Sequence, residues 1–141
     1  AGLKEDLASL EGELKGAGAK RALLLNMSVC SHCEILQNAS KKLAKVLGDK
    51  LHDKFAFEIV SNATTDKYST KNDAVTLLEK QLVAPVLYKQ SIKKFEDEVD
   101  AFIEFGNGSV LSGLNKKITS IPTYSVNSMA NIAEIIEKIK G

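Results

Sequence analysis

The chain has 141 residues, is 44% hydrophobic and 26% charged, and carries 19 Lys or Arg against 18 Asp or Glu, a formal charge of +1. That size suits one domain with a core of its own, and the balanced charge leaves no electrostatic footprint for nucleic acid. No apolar run reaches the roughly 18 residues of a membrane span, Ala1 opens directly into a polar helical pattern rather than a signal peptide, and two cysteines make no disulfide framework, so a reducing cytoplasm is the expected setting.

Leu3, Leu7, Leu10 and Leu14 fall on one helical face, which predicts a first helix, ended by the glycines of 16–21. The apolar run 21–29 (RALLLNMSV) reads as a buried strand. Ile35, Leu36, Ala39, Leu43 and Leu47 predict a helix over 34–47 that Gly48 stops. Alternation over 55–61 predicts a strand, and 62–71 (NATTDKYSTK) a polar surface loop. A helix over 72–82 with Val75, Leu78 and Leu82 inward is followed by a loop at 83–86 and a helix over 88–97. A short strand at 101–105, the turn Gly106-Asn107-Gly108, a helix through Lys117 and a strand at 121–126 come next. Ser128 N-caps the last helix, with Met129, Ile132, Ile135, Ile136 and Ile139 inward. Strands alternating with helices predict α/β architecture, a mostly parallel sheet with flanking helices.

Chemistry concentrates in Ser28-Val29-Cys30-Ser31-His32-Cys33-Glu34. It sits between a predicted strand and a helix, where an open α/β sheet places its ligands. Cys30 and Cys33 form a C-x-x-C pair, which at a helix start is a redox-active arrangement, and Ile121-Pro122-Thr123 resembles the turn that thioredoxin-like proteins set beside their dithiol. A structural zinc site needs four ligands, and Cys30, Cys33 and the distant His52 do not supply them. His32 is the third possibility, a general base able to take a proton from a hydroxyl nucleophile, with both cysteines as small packing residues. A helix-start histidine without chemistry is the bland alternative. Gly106-Asn107-Gly108 lacks the third glycine of a dinucleotide loop, since Leu111 stands there.

The run from Arg21 to Ala44 resembles malonyl-CoA:acyl-carrier-protein transacylases, whose Ser-His-Cys run follows a strand and whose histidine is the catalytic base. Ile59-Val60-Ser61-Asn62, Gln81-Leu82-Val83-Ala84-Pro85-Val86 with Ser91 beyond, the strand-turn-helix of 103–114 and the basic helix end Lys116-Lys117-Ile118 resemble further segments of that family in the same order. The likeness implies the C-terminal part of a hydrolase-like acyltransferase core over 29–141, preceded over 1–28 by the end of a ferredoxin-like small subdomain. It implies His32 as base, Asn62 and Leu87 at the substrate pocket, Lys116 and Lys117 toward the carrier protein, and no cofactor or metal. Malonyl-CoA, acyl-carrier protein and a missing N-terminal half of the same enzyme are the implied partners, in fatty-acid biosynthesis.

The same resemblance exposes departures. The G-x-S-x-G elbow that carries the family's nucleophilic serine does not occur in the sequence, and Arg21, the one arginine, is not at the place of the family's carboxylate-binding arginine. The implied acceptor for the second ring nitrogen of His32 lies after the Pro-Val step, where a glutamine often stands. Leu87 occupies that place, so only a backbone carbonyl there could orient the ring. A thioredoxin-like oxidoreductase using Cys30 and Cys33, and a non-catalytic interaction module, are the competing expectations.

Overall fold

The computed structural model describes residues 2–24, 26–27 and 29–140. It divides into two compact units, Ala1–Leu87 and Tyr88–Gly141. Both mix helices and strands, so the α/β expectation holds at that level. The single, mostly parallel sheet does not: each unit holds its own two-stranded sheet, antiparallel in the first and parallel in the second.

The first unit opens with α1 (Lys4–Gly16), which buries no residue; the leucine stripe exists, but Leu3, Leu10 and Leu14 are exposed. The expected strand at 21–29 is not formed among the described residues, and Leu25 and Ser28 lie outside them. A strand needs a neighbour for its N–H and C=O groups, and the apolar Leu23, Leu24, Met27 and Val29 are exposed.

A single 3-10 turn (Glu34–Leu36) then leads into α2 (Gln37–Lys50). Gly48 does not stop this helix, because one glycine costs only about 1 kcal/mol of propensity; the chain leaves the helix at Leu51, in extended conformation. β1 (Lys54–Val60) pairs antiparallel with β2 (Lys67–Thr70), Ile59 opposite Tyr68 and Val60 opposite Lys67. β2 lies in the stretch expected as a loop: Tyr68 alone supplies its buried side chain, too little for an apolar pattern to show. Ser61 closes the connection, its N–H donating to the Asp66 carbonyl and its carbonyl accepting the Thr65 N–H.

α3 (Lys71–Val83) starts where Thr70 caps it. The Thr70 hydroxyl accepts the Asp73 N–H at 3.3 Å and donates to the Asp73 carboxylate at 2.6 Å, a reciprocal cap of the kind that stabilises helix starts. It ends at Ala84, in extended conformation, as a residue before proline prefers. α2 packs chiefly against α3. Their buried residues, Ser40 and Ala74, are small, which lets helix backbones approach closely.

The second unit runs α4 (Tyr88–Phe95), a 3-10 turn (Glu96–Glu98), β3 (Phe102–Phe105), α5 (Val110–Asn115), β4 (Thr123–Val126) and α6 (Met129–Lys140). β3 and β4 pair in parallel, Phe102 opposite Thr123 through Phe105 opposite Val126. The expected glycine turn precedes α5, with Gly106 and Gly108 at φ 141° and 153°, backbone that side chains with a Cβ rarely adopt. Ser128 caps α6 as expected, its hydroxyl accepting the Asn131 N–H while the Asn131 side chain accepts the N–H groups of Asn127 and Ser128. The inward stripe of α6 is narrower than its apolar sequence suggests. Ile135 is buried, whereas Met129 is 84% exposed and Ile136 and Ile139 are also open.

Candidate active site

His32 sits on the turn between Cys30 and the 3-10 turn that starts α2, at the open end of α3. The last carbonyls of a helix have no partner within it, and two of them, from Gln81 and Leu82, are used here. The His32 backbone N–H donates to the Leu82 carbonyl at 3.0 Å. The ring Nδ1 lies 2.9 Å from the Gln81 carbonyl oxygen. A carbonyl only accepts, so Nδ1 carries the hydrogen and Nε2 of the neutral ring is left as an acceptor. Holding both bonds puts the His32 backbone at φ 64°, the left-handed region that costs a residue with a Cβ about 1–2 kcal/mol.

The acceptor that orients the ring is therefore the main chain of Gln81, on the last turn of α3, before rather than after the Pro-Val step. Leu87 has a different main-chain role: its N–H donates to the Asn62 carbonyl at 2.8 Å, which ties the segment after α3 to the end of β1. The structure thus joins His32 to Gln81 and Leu82, and Asn62 to Leu87. Lys116 and Lys117 are exposed just past α5 and belong to the second unit. Sequence reasoning missed Gln81 because the working atom is a backbone oxygen that any residue would supply.

Both cysteines are free and half-buried. The Cys30 thiol donates to the Gly2 carbonyl at 3.1 Å and the Cys33 thiol to the Cys30 carbonyl at 3.2 Å. Cys33 precedes one turn of 3-10 helix in extended conformation, so the pair does not open an α-helix in the way that redox dithiols use. His52 is exposed, and among the described residues no three His, Cys, Asp or Glu side chains gather as metal ligands.

The second unit contains a polar cluster of a different kind. The Glu104 carboxylate on β3 accepts the N–H groups of Leu111 and Ser112, both at 2.9 Å, the Ser112 hydroxyl at 2.6 Å and the Ser125 hydroxyl at 3.2 Å. The Ser112 hydroxyl and the two backbone N–H groups hold its pKa down to about 2, from the usual 4.5, against the opposing pull of burial. Nearby, Asn115 accepts the Tyr88 hydroxyl and donates to Thr123; burial raises the Tyr88 phenol, the Asn115 bond opposes that rise, and the Glu104 charge adds to it. A cavity of about 200 Å³ lies against Tyr88, Ile103, Glu104 and Asn115. Sequence reasoning passed over Glu104, although an acidic residue two positions before a glycine turn into a helix start is a legible signal.

No family model matches the chain. It is 39% identical over 129 residues to the malonyl CoA-acyl carrier protein transacylase of Bacillus subtilis, covering 89% of this chain and 40% of that protein. The Escherichia coli K12 protein of the same name is 36% identical over 140 residues, 97% of this chain and 45% of the relative. The crystal structure of the Helicobacter pylori enzyme superposes with a TM-score of 0.92 at 47% identity, over 99% of this chain and 45% of that one. This chain matches part of a malonyl-CoA:acyl carrier protein transacylase. It spans less than half the length of the transacylases it resembles. Another structural relative, with a TM-score of 0.85 at 33% identity, is a transacylase in complex with a type II PKS acyl-carrier protein. The relatives are acyltransferases, which sets aside the thioredoxin-like expectation.

Proposed function

We propose that this chain is the C-terminal part of an acyltransferase that moves a malonyl group from CoA to the pantetheine thiol of acyl-carrier protein in fatty-acid biosynthesis. His32 serves as general base for a serine supplied by the rest of the protein. The observation that carries this reading is the bond from Nδ1 to the Gln81 carbonyl, which fixes the tautomer and leaves Nε2 to accept a proton. Nε2 takes the serine hydroxyl proton as the oxygen attacks the malonyl thioester; the C–S bond breaks, the proton passes to the departing CoA sulfur, and a malonyl-serine ester remains. The pantetheine thiol then gives its proton to Nε2, attacks the ester and carries the malonyl group away, returning the proton to serine. Two covalent half-reactions of this kind give ping-pong kinetics.

Similarity to transacylases over nearly all of this chain, but under half of theirs, supports a missing N-terminal half as the first partner. So does the surface: Phe105 on β3, a strand in a parallel pair, is 75% exposed, and parallel strands are ordinarily buried on both faces of a larger sheet. Residues 1–28 belong, in this reading, to a ferredoxin-like small subdomain and 29–141 to the hydrolase-like large one; the absence of any buried residue in α1 supports that separation. Asn62 and Leu87 line the substrate pocket, and Lys116 and Lys117 face the acidic carrier protein. The setting is cytoplasmic; no helix among the described residues is long and apolar enough to cross a membrane.

The test is malonyl transfer by the complete protein, comparing wild type with His32→Ala and with Cys30→Ser/Cys33→Ser. Loss in the first variant and retention in the second supports the reading; equal activity in wild type and His32→Ala overturns it. The 141-residue chain alone is expected to transfer nothing, and malonyl transfer by it would show that a nucleophile within these residues suffices.

A further inference from the structure

The mechanism uses neither thiol, yet the two cysteines bracket its base. We propose that Cys30 and Cys33 form a reversible disulfide that releases the His32 ring from Gln81 and so switches the site off, an inference that rests on His32 being the base. Ser31 and His32 make the turn between the two cysteines, and the ends of a four-residue turn lie within about 7 Å, the span a disulfide can bridge. The Cys33 sulfur already lies 3.2 Å from the Cys30 carbonyl oxygen, so the Cys33 side chain folds back over the turn onto the Cys30 main chain, while the Cys30 thiol must leave the Gly2 carbonyl to meet it. Both cysteines are half-buried rather than sealed. Closing the ring removes both S–H donors and with them the bonds to Gly2 and Cys30 that hold the present turn, a turn that includes the left-handed His32 backbone and its torsions. The bond from Nδ1 to Gln81 depends on those torsions.

A glutathione-type disulfide supplies the oxidant. One cysteine sulfur attacks it, forming a mixed disulfide and releasing one glutathione thiol; the second cysteine sulfur displaces the other glutathione. Two cysteine thiols are oxidised, one glutathione disulfide is reduced, and the two S–H protons end on the two released thiols.

The test incubates the chain with glutathione disulfide at millimolar concentration and reads intact mass together with the nitrogen-15 spectrum of the His32 ring. The expected result is loss of two hydrogens, reversed by dithiothreitol and absent in Cys30→Ser, with the ring spectrum moving from the Nδ1–H tautomer toward an exchanging mixture. Oxidation of the complete enzyme should lower malonyl transfer to the level of His32→Ala, while Cys30→Ser keeps wild-type transfer with or without oxidant. Persistence of both thiols, stable mixed glutathione adducts without ring closure, or an unchanged ring spectrum in the disulfide form overturns the proposal. If His32→Ala retains transfer, the base assignment fails instead, and mass and ring spectrum still decide whether the disulfide forms and moves the imidazole.

Discussion

The two polar centres of this molecule, His32 in the first unit and Glu104 in the second, are held by the same kinds of bond and end in opposite chemical states. Glu104 receives four donors from α5 and β4 and is pulled down to about pKa 2. Through these bonds it joins two strands and a helix. His32 makes one bond through its ring and one through its backbone, which fix its position and leave the second ring nitrogen open. A satisfied group builds the fold, and a group oriented on one side only is available for chemistry.

Four changes test or sharpen that contrast. His32→Ala should have the largest effect, lowering malonyl transfer by the complete enzyme about 10²–10⁴-fold, the range for a positioned general base, with circular dichroism of the folded protein unchanged. Glu104→Gln should leave proton transfer alone and act on the fold. The Glu104 pKa is depressed in the folded chain, so its stabilisation is full above the usual carboxylate range and is lost as pH falls from 4.5 toward about 2. Urea midpoints of wild type should decline across that window; Glu104→Gln should start lower at neutral pH and lose that decline. An equal acid decline in both would show that the carboxylate is not held as described.

Thr70→Ala removes the cap at the far end of the helix that holds His32, and should cost about 0.5–2 kcal/mol in a denaturant titration. Gln81→Ala is the mildest change, because the carbonyl that orients the ring survives. Transfer should stay within about threefold of wild type, under roughly 1 kcal/mol in the barrier. A drop matching His32→Ala would assign the orienting role to the side-chain amide after all.

The parts that could be read from the sequence are those fixed by side chains acting locally. α2 and α3 follow from their apolar spacing, α6 from Ser128, and the turn before α5 from Gly106 and Gly108. The His32 motif was visible through its resemblance to a family. What escaped depends on partners distant in sequence. The run at 21–29 has a strand's composition but no neighbour among the described residues to complete it. β2 carries one buried aromatic among polar residues, and its pairing with β1 reveals it where its pattern does not. Gln81 acts through an oxygen that every residue possesses. The acidic Glu104 gave a usable hint, but its meaning lay in donors 7, 8 and 21 positions away.

The φ of 64° at His32 has an evolutionary consequence. Glycine and asparagine enter the left-handed region at little cost, so position 32 is one where the fold would be better served by a residue unable to carry a proton. A laboratory selection for heat tolerance alone, blind to transfer, should therefore drift toward glycine or asparagine there, enriching sturdier proteins that lack the imidazole.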